Sequence, residues 1–490
     1  MSSLEEIRAT RLAKADLLKS KGINPYPVST GRDVTLADAV QNFEELSTKK
    51  ELCLAGRIMA LRGQGGLVFA DLFDGTGTFQ ALLKKDDLGD GSFTDWGELI
   101  DIGDFVEVSG FLFLTKRSEK TLQVKKWRML TKSLRPLPEK WHGLTDTEER
   151  FRRRYLDTLM NDEVRARFVL RSRIISALRA SLDGAGFLEV ETSMLQSLAG
   201  GANAEPFTTH HNALDINLYL RIAPELDLKK LLIGGYPKIY EVGRSFRNEG
   251  IDVTHNPEFT TIEWYEAYSD AAKQRIFIEK TLRALVEKVK GVTTVIFDGT
   301  SIDFQKPFAV MTYAEALARY ALIVDPEKAT KNELSLKAKE LGVSVGVHDF
   351  PQKILDGIFK KVVRPKLLQP TYIISYPKEM IPLAKEDAEK ENIVDAFQCY
   401  AGGLELIKAF SELNDPIEQA CRFKDEEGSR KVGDREAQPN DKDFIEALEY
   451  GMPPAGGVGI GIERLVMLLS DVKNIREAIF FPTLRPKTGE

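Results

Sequence analysis

The sequence is poor in cysteine. Cys53, Cys399 and Cys421 are scattered over 490 residues. An odd, dispersed set fits neither a disulfide framework nor a zinc site, and it predicts a reducing, cytoplasmic setting. No apolar run approaches the roughly 20 residues that span a bilayer, so no membrane contact is expected. The opening MSSLEEIRATRLAKADLLKSKGINPYP lacks the apolar core and cleavage site of a secretory signal. It predicts an amphipathic helix stopped by Gly22, Pro25 and Pro27. Excess basic charge is also missing: 68 Lys and Arg face 74 Asp and Glu, a formal net charge of −6. A nucleic-acid partner therefore needs a locally basic surface. Lys116, Arg117, Lys120, Lys125, Lys126, Arg128, Lys132, Arg135 and Lys140 form one candidate, opposed only by Glu119 and Glu139, and RFRRR follows at Arg150–Arg154. On composition, a solvated charged face fits this stretch as well as RNA contact does.

What is present is an ordinary globular balance, 43% hydrophobic and 29% charged, in a chain long enough for two to four domains. Five strand-like runs lie between about Glu51 and Leu130: ELCLAGRIMA, LVFADLF, GTFQALL, DFVEVSGFLFL and TLQVKKWRML. DGTG at Asp74–Gly77 is a hairpin signal. The longer segment Lys84 to Ile100, between the third and fourth runs, has room for a short helix. Five strands with a helical insertion after the third predict a small oligonucleotide-binding (OB) barrel. LRPLPEKWHG at Leu134–Gly143 reads as a linker. The expected division is an N-terminal helical extension (1–50), the barrel (51–135), a linker (136–150) and one large domain (151–490). In the last, strands come as runs and hairpins without regular βαβ alternation. The expected class is therefore α+β, an antiparallel sheet flanked by helices.

No G-x-x-x-x-G-K-[ST] sequence occurs, which excludes a P-loop. GGVGIGIER fails the dinucleotide pattern as well, since Gly457, Gly459 and Gly461 alternate. Alternating glycines leave one strand face bare, open to a flat ligand or another backbone. The hairpin VGRSFRNEGIDVTHNPEFTTIEWYEAY, Val242 to Tyr268, shows the complementary feature. At period two, Phe259, Thr261, Glu263 and Tyr265 share one face while Ile262 and Trp264 take the other. A solvated hairpin face explains such a pattern. So does a nucleotide site without a P-loop, in which Arg247 and Arg464 bind phosphate, Phe259 stacks on a base beneath Arg464, and Glu249 accepts from an exocyclic amine.

These segments resemble the signature motifs of the class II aminoacyl-tRNA synthetases. FLEVETSMLQ is similar to the first motif, FRNEG…HNPEFT to the second and GIGIERL to the third. RIAPELDLKKLLIGG, THHNALD and FSELNDP narrow the resemblance to the lysine-charging branch, whose members carry an N-terminal OB anticodon domain. It extends from GINPYP to FPTLRP. The resemblance implies a class II antiparallel sheet behind an OB barrel, ATP-dependent activation of L-lysine, transfer to the 3′ end of tRNA(Lys), Mg²⁺ as cofactor, and a homodimer. It implies that Arg247 and Arg464 are catalytic and that Arg247, Glu249, His255, Asn256, Phe259, Glu405 and Arg464 bind ATP. Gly201, Glu225, Arg247, Glu263, Tyr265, Lys408, Phe410 and Glu412 would bind lysine, with Glu263, Tyr265 and Glu412 around the ε-ammonium. Buried anionic acceptors suit that group, because an ammonium without partners is costly to bury. Arg62, Phe69 and Gln80 would meet anticodon bases, although Phe69 also fits a core aromatic.

Three positions depart from the family pattern. Ser193 replaces a proline of the first motif. Gln398 stands where a Mg²⁺-ligating glutamate is expected, leaving Glu405 as the clear metal ligand. Lys408 stands where an asparagine meets the substrate carboxylate. By strict alternation Glu405 and Lys408 point to opposite faces, and Lys408 shares its face with Leu406, Phe410 and Glu412. Two other readings compete: a paralogue that lysylates elongation factor P, against which the barrel argues, and an RNA-binding protein with a dead synthetase domain, against which Arg247, Glu249, Phe259 and Arg464 argue. Aspartyl and asparaginyl synthetases share the architecture, but an acidic ammonium pocket would repel their substrates.

Overall fold

A computed structural model describes residues 3–49, 51–138, 144–346, 349–431 and 437–487. Part of the expected linker, 139–143, lies outside the described residues. The chain divides into two compact units, Met1–Leu144 and Thr145–Glu490. Among the described residues no helix is long and apolar enough to cross a membrane.

In the first unit, helix Leu4–Ser20 begins with a capping box between Ser3 and Glu6 and buries Ala15 and Leu18. Five strands follow: β1 (Leu52–Gln64), β2 (Leu67–Phe73), β3 (Thr78–Lys84), β4 (Phe105–Leu114) and β5 (Lys120–Thr131). They close into a barrel in the order β1-β2-β3-β5-β4, with β3 and β5 parallel. The turn at Asp74 forms because its Oδ1 accepts from the backbone N–H of Thr76 (2.9 Å) and Gly77 (3.2 Å). Leu54, Ile58, Ala70, Leu72, Ala81, Leu83, Val106, Val108, Leu122 and Val124 alternate inward to fill the core. The insertion between β3 and β4 folds as helices Lys85–Leu88 and Asp90–Leu99, the second burying Trp96.

Much of the basic stretch is consumed inside this unit. Lys132 is buried and pairs with Asp104 (2.7 Å) and Asp101. Arg128 pairs with Glu107 (2.8 Å) and Lys125 with Asp87. Lys116, Arg117 and Lys126 are exposed. RFRRR, in the second unit, is largely structural too. Arg154 is fully buried on Asp157 (2.6 Å), Arg150 bonds the same carboxylate (2.9 Å), and Arg152 and Arg153 pair with Glu148 and Glu149.

The second unit contains β6 (Leu188–Glu189), β7 (Leu195–Gln196), β8 (Thr208–His211), β9 (Ile216–Leu220), β10 (Lys238–Phe246), β11 (Glu258–Ala267), β12 (Thr294–Phe297), β13 (Thr300–Asp303), β14 (Ala309–Thr312), β15 (Thr371–Pro377), β16 (Ile393–Ala401), β17 (Leu404–Ser411) and β18 (Ala455–Gly461). Eight of them form one sheet in the order β14-β15-β16-β17-β18-β11-β10-β6. It is antiparallel except at its edges, where β14 pairs parallel to β15 and β6 parallel to β10. One face is dry. Ile262, Trp264, Ile407, Val458 and Ile460 pack there with residues of helices Asp162–Gly184, Ala271–Lys290 and Ile462–Leu469. Each large side chain so buried contributes roughly 1.5–3 kcal/mol. Trp264 avoids a desolvation cost by donating Nε1–H to Gln274 Oε1 at 2.8 Å. The other face carries Thr261, Glu263 and Tyr265 of β11.

Candidate active site

The ladder register aligns the site. Glu263 on β11 lies opposite Gly459 on β18, Gly459 opposite Lys408 on β17, and Lys408 opposite Gln398 on β16. The next row holds Tyr265, Gly457, Phe410 and Ala396. Residues directly opposite share a face, so four strands present one surface. A Cβ at Gly459 would touch the Glu263 side chain at 3.6 Å and the Lys408 carbonyl at 3.9 Å. A Cβ at Gly457 would run into Glu412 Oε1 and the Tyr265 ring, so that glycine permits a close approach of neighbouring side chains.

A β-bulge changes the expected geometry of β17. Cys399 faces Ile407 but Tyr400 faces Glu405, leaving Leu406 as the extra residue. Leu406 and Ile407 both enter the dry core. Glu405 and Lys408 consequently emerge on the same face, which corrects the opposite-face expectation and the placement of Leu406 beside Lys408. Their charges interact: the Glu405 carboxyl is held below its usual range, burial being outweighed by Arg464, Lys408, Lys360 and Arg364. Lys408 stands on the exposed floor of the cleft. Desolvation lowers the pKa of its ammonium, against Glu405 and Glu225.

At one end of the cleft, the guanidinium of Arg247 lies over the Phe259 ring, 5.1 Å from its centroid. Burial lowers the Arg247 pKa, with Glu249 and Glu263 opposing, and its buried Nε has no hydrogen-bond partner. Arg464 donates to the Glu405 carbonyl at 3.0 Å and lies 3.3 Å from His255 Nε2. Arg247, expected on phosphate, is the cation that lies over Phe259. The His255 Nδ1 is 2.9 Å from Asp252. A proton on Nδ1 leaves Nε2 free to accept from Arg464. Glu463 anchors the start of helix Ile462–Leu469: both its oxygens accept from Thr260 N–H (3.1 and 3.0 Å), and Arg171 bonds it at 2.8 Å. This fixes the start of the helix that carries Arg464. Glu249 is exposed on the loop, whereas Asn256 is buried, donating to the Glu258 carbonyl at 2.7 Å and leaving Oδ1 unpartnered.

The opposite end is acidic. Glu225 opens helix Glu225–Ile233, and four residues later Lys229 reaches back to it at 2.8 Å. Lys229, fully buried, also pairs with Glu412. Desolvation acts to lower its pKa, and the two carboxylates outweigh this and raise it. Glu263 and Glu412 are each pushed up to about 8, both first by burial, with Glu225 adding to the effect and Lys229 opposing it at Glu412. The Tyr265 hydroxyl is 3.4 Å from Glu263 Oε2, and its pKa is raised by burial and these acids. Glu412 Oε1 has no hydrogen-bond partner. Gly201, with φ +88°, packs beside Glu225 Cβ, and its N–H donates to Gln438 at 3.2 Å. Lys229, Gln438 and Asp252 were missed in the sequence reading. Only Lys229 left a sequence signal, its i,i+4 spacing from Glu225.

Gln398 is committed elsewhere. Its Oε1 accepts from the hydroxyls of Tyr376 (2.9 Å) and Tyr400. Among the described residues no group of three or more His, Cys, Asp and Glu could hold a metal. Hard divalent ions prefer several anionic oxygens. With the Gln398 oxygen taken up by two tyrosine hydroxyls, Glu405 is left as one carboxylate, and this pair does not fit a Mg²⁺ held by two protein ligands.

In the barrel, Arg62 lies opposite Phe69, and Asp71 opposite Gln80. All four share the outer face of β1–β3. Arg62 forms a two-point ion pair with Asp71 (2.7 and 2.8 Å), and Gln80 accepts from Thr121 at 2.9 Å. Phe69 is half-buried on that face and is not among the core residues.

An antiparallel sheet carrying this cleft, in a chain with a closed five-stranded barrel, agrees with the sequence comparisons. The family described as tRNA synthetases class II (D, K and N) matches residues 146–485, and the OB-fold nucleic acid binding domain matches 52–130. The chain belongs to the class II tRNA synthetases, which are ligases. It is 46% identical to a lysine–tRNA ligase of Carboxydothermus hydrogenoformans over 99% of both chains. It is 46% identical to that of Pelotomaculum thermopropionicum, over 99% of this chain and 96% of the relative. A third lysine–tRNA ligase, from Clostridium novyi, is 45% identical over 97% and 94%.

Proposed function

We propose that this chain activates L-lysine with ATP to lysyl-adenylate and passes the lysyl group to the 3′ end of tRNA(Lys). The observation that carries this reading is the acidic end of the cleft. Glu225, Glu263 and Glu412 meet there with Tyr265; Lys229 pairs with Glu225 and Glu412, while Arg247 and Arg221 oppose the effect of burial on Glu263. Glu263 and Glu412, each pushed up to about 8 first by burial, ionise fully near neutral pH only when a further cation enters. A second ammonium, on the substrate side chain, supplies that cation, and an uncharged or acidic side chain does not.

Glu263, Tyr265 and Glu412 then hold the ε-ammonium, with the Phe410 ring beside it. Gly201 and Glu225 hold the α-amino group. Arg247 and Lys408 face the substrate carboxylate. Phe259, Glu249, His255, Asn256 and Arg464 form the ATP end. Activation needs no general base, because the carboxylate is ionised at neutral pH. One of its oxygens attacks the α-phosphorus in line, the bond to the bridging oxygen breaks, and pyrophosphate leaves. Arg247 and Arg464 stabilise the charge that accumulates on the phosphoryl oxygens. A magnesium ion brought in with ATP would neutralise phosphate charge, and Glu405 is the carboxylate that would hold it.

The barrel, residues 51–135, reads the anticodon through Arg62, Phe69 and Gln80, while 151–490 carries the chemistry and 1–50 and 136–150 act as extension and linker. The protein works in the cytoplasm as a homodimer. ATP–pyrophosphate exchange across the amino acids, with and without tRNA, tests this function. Lysine alone among them supports exchange, and it does so without tRNA. Exchange driven by aspartate or asparagine would overturn the reading.

A further inference from the structure

The middle of the cleft is unusual in its charge. Around the point where the substrate carboxylate would meet the α-phosphate stand Arg247, over the Phe259 ring, Lys408, opposite Gly459, and Arg464, 3.9 Å from the Glu405 carboxylate. The Glu405 backbone carbonyl and carboxylate both lie against Arg464, and Asp356 pairs with Lys360 at 2.6 Å. The side chain opposite Lys408 across the ladder is an amide, Gln398, whose oxygen is already saturated by Tyr376 and Tyr400. A carbonyl oxygen accepting two hydroxyl protons has no lone pair left for a metal. The bulge at Leu406 brings the Lys408 ammonium to the same face as Glu405. Without it, that charge would point into the dry core.

We infer that Lys408 serves as a fixed organic cation in place of a protein-anchored divalent ion, so that the enzyme uses only the metal carried in by ATP. This rests on the reading of the cleft as an ATP and lysine site. An ammonium here offers charge-assisted bonds to phosphoryl and carboxylate oxygens without needing ligands of its own. Gln398 fits this role better than a carboxylate would. A second acid across the ladder from Lys408 would draw its ammonium away from the substrate. The Tyr376–Gln398–Tyr400 arrangement instead leaves a neutral, satisfied neighbour.

Metal counting tests this without turnover. The full-length protein is saturated with α,β-methylene-ATP and titrated with Mn²⁺, and bound ions are counted by electron paramagnetic resonance. Wild type should hold one Mn²⁺ per nucleotide, and the double variant Gln398→Glu/Lys408→Asn should gain at least one more. Lys408→Met should weaken analogue binding about tenfold at any Mg²⁺ concentration, the loss expected for one charge-assisted contact. Because Lys408 is exposed, these variants should fold. A second ion of comparable affinity on wild type, or unchanged analogue binding in Lys408→Met, would overturn the inference alone. Failure of wild type to bind the analogue would overturn the nucleotide reading with it.

Discussion

Lys229 and Glu412 form an ion pair in which both side chains are excluded from solvent. The pair joins helix Glu225–Ile233 to the end of β17, and it supplies the only internal ammonium at the acidic end of the cleft among the described residues. Removing one partner of such a pair leaves an uncompensated buried charge, at a cost of about 3–5 kcal/mol. Lys229→Met should therefore lower the denaturant midpoint sharply, and adding Glu412→Gln should recover part of the loss. Additive losses in the double variant would show that the pair is not coupled.

The acidic pocket sets a pH dependence. Glu263 has its pKa raised to about 8, first by burial and then by Glu225. A carboxyl whose folded pKa lies above its ordinary one destabilises the folded protein as pH rises toward the folded value. A bound ammonium favours the ionised form, so lysine binding should release protons below pH 8. The lysine KM should fall several-fold between pH 6 and 8 while the ATP KM stays flat. Calorimetry in two buffers of different ionisation enthalpy measures the protons directly. A lysine KM independent of pH over that range would contradict the assignment.

How much of this was legible follows from the kind of signal each feature leaves. The faces of β10 and β11 were readable, because period two survives in a regular ladder and Ile262 and Trp264 mark the dry side. The sheet class and the barrel with its helical insertion were readable from run lengths and turn residues. The bulge in β17 was not. In LELIKAF the two adjacent apolar residues, Leu406 and Ile407, look like ordinary strand composition, yet both enter the core and reverse the phase for Lys408. The fate of the basic residues was equally hidden. Lys132 meets Asp104 only through closure of the barrel, a contact that sequence spacing does not announce. Lys229 was within reach, since Glu225 and Lys229 lie one helical turn apart.

The loop pair Asp252 and His255 yields a further test. If Asp252 fixes the His255 tautomer, and with it the Arg464 orientation, Asp252→Ala should raise the ATP KM a few-fold. The lysine KM should not change. Asp252→Asn should lose less, because an amide oxygen still accepts from Nδ1–H. Equal effects on both substrates would mean the loop is merely unfolding.

For the barrel, Phe69→Ala should leave lysine-dependent ATP–pyrophosphate exchange untouched and reduce kcat/KM for tRNA charging. Stacking of one base on an aromatic ring is worth about 1–3 kcal/mol, which corresponds to roughly five- to 160-fold. Phe69 is half-buried on the outer face, so the truncation should cost little stability. An unchanged charging rate would assign Phe69 to packing alone.

The central claim is that buried carboxylates select the substrate by its ε-ammonium. The most direct measurement compares lysine with norleucine, its isostere without the ammonium, in ATP–pyrophosphate exchange by wild type and Glu263→Gln. Wild type should prefer lysine by several orders of magnitude, and Glu263→Gln should lose most of that preference through the lysine KM, with the ATP KM nearly unchanged. A Glu263→Gln enzyme that keeps the wild-type lysine KM and the wild-type preference over norleucine would contradict the account.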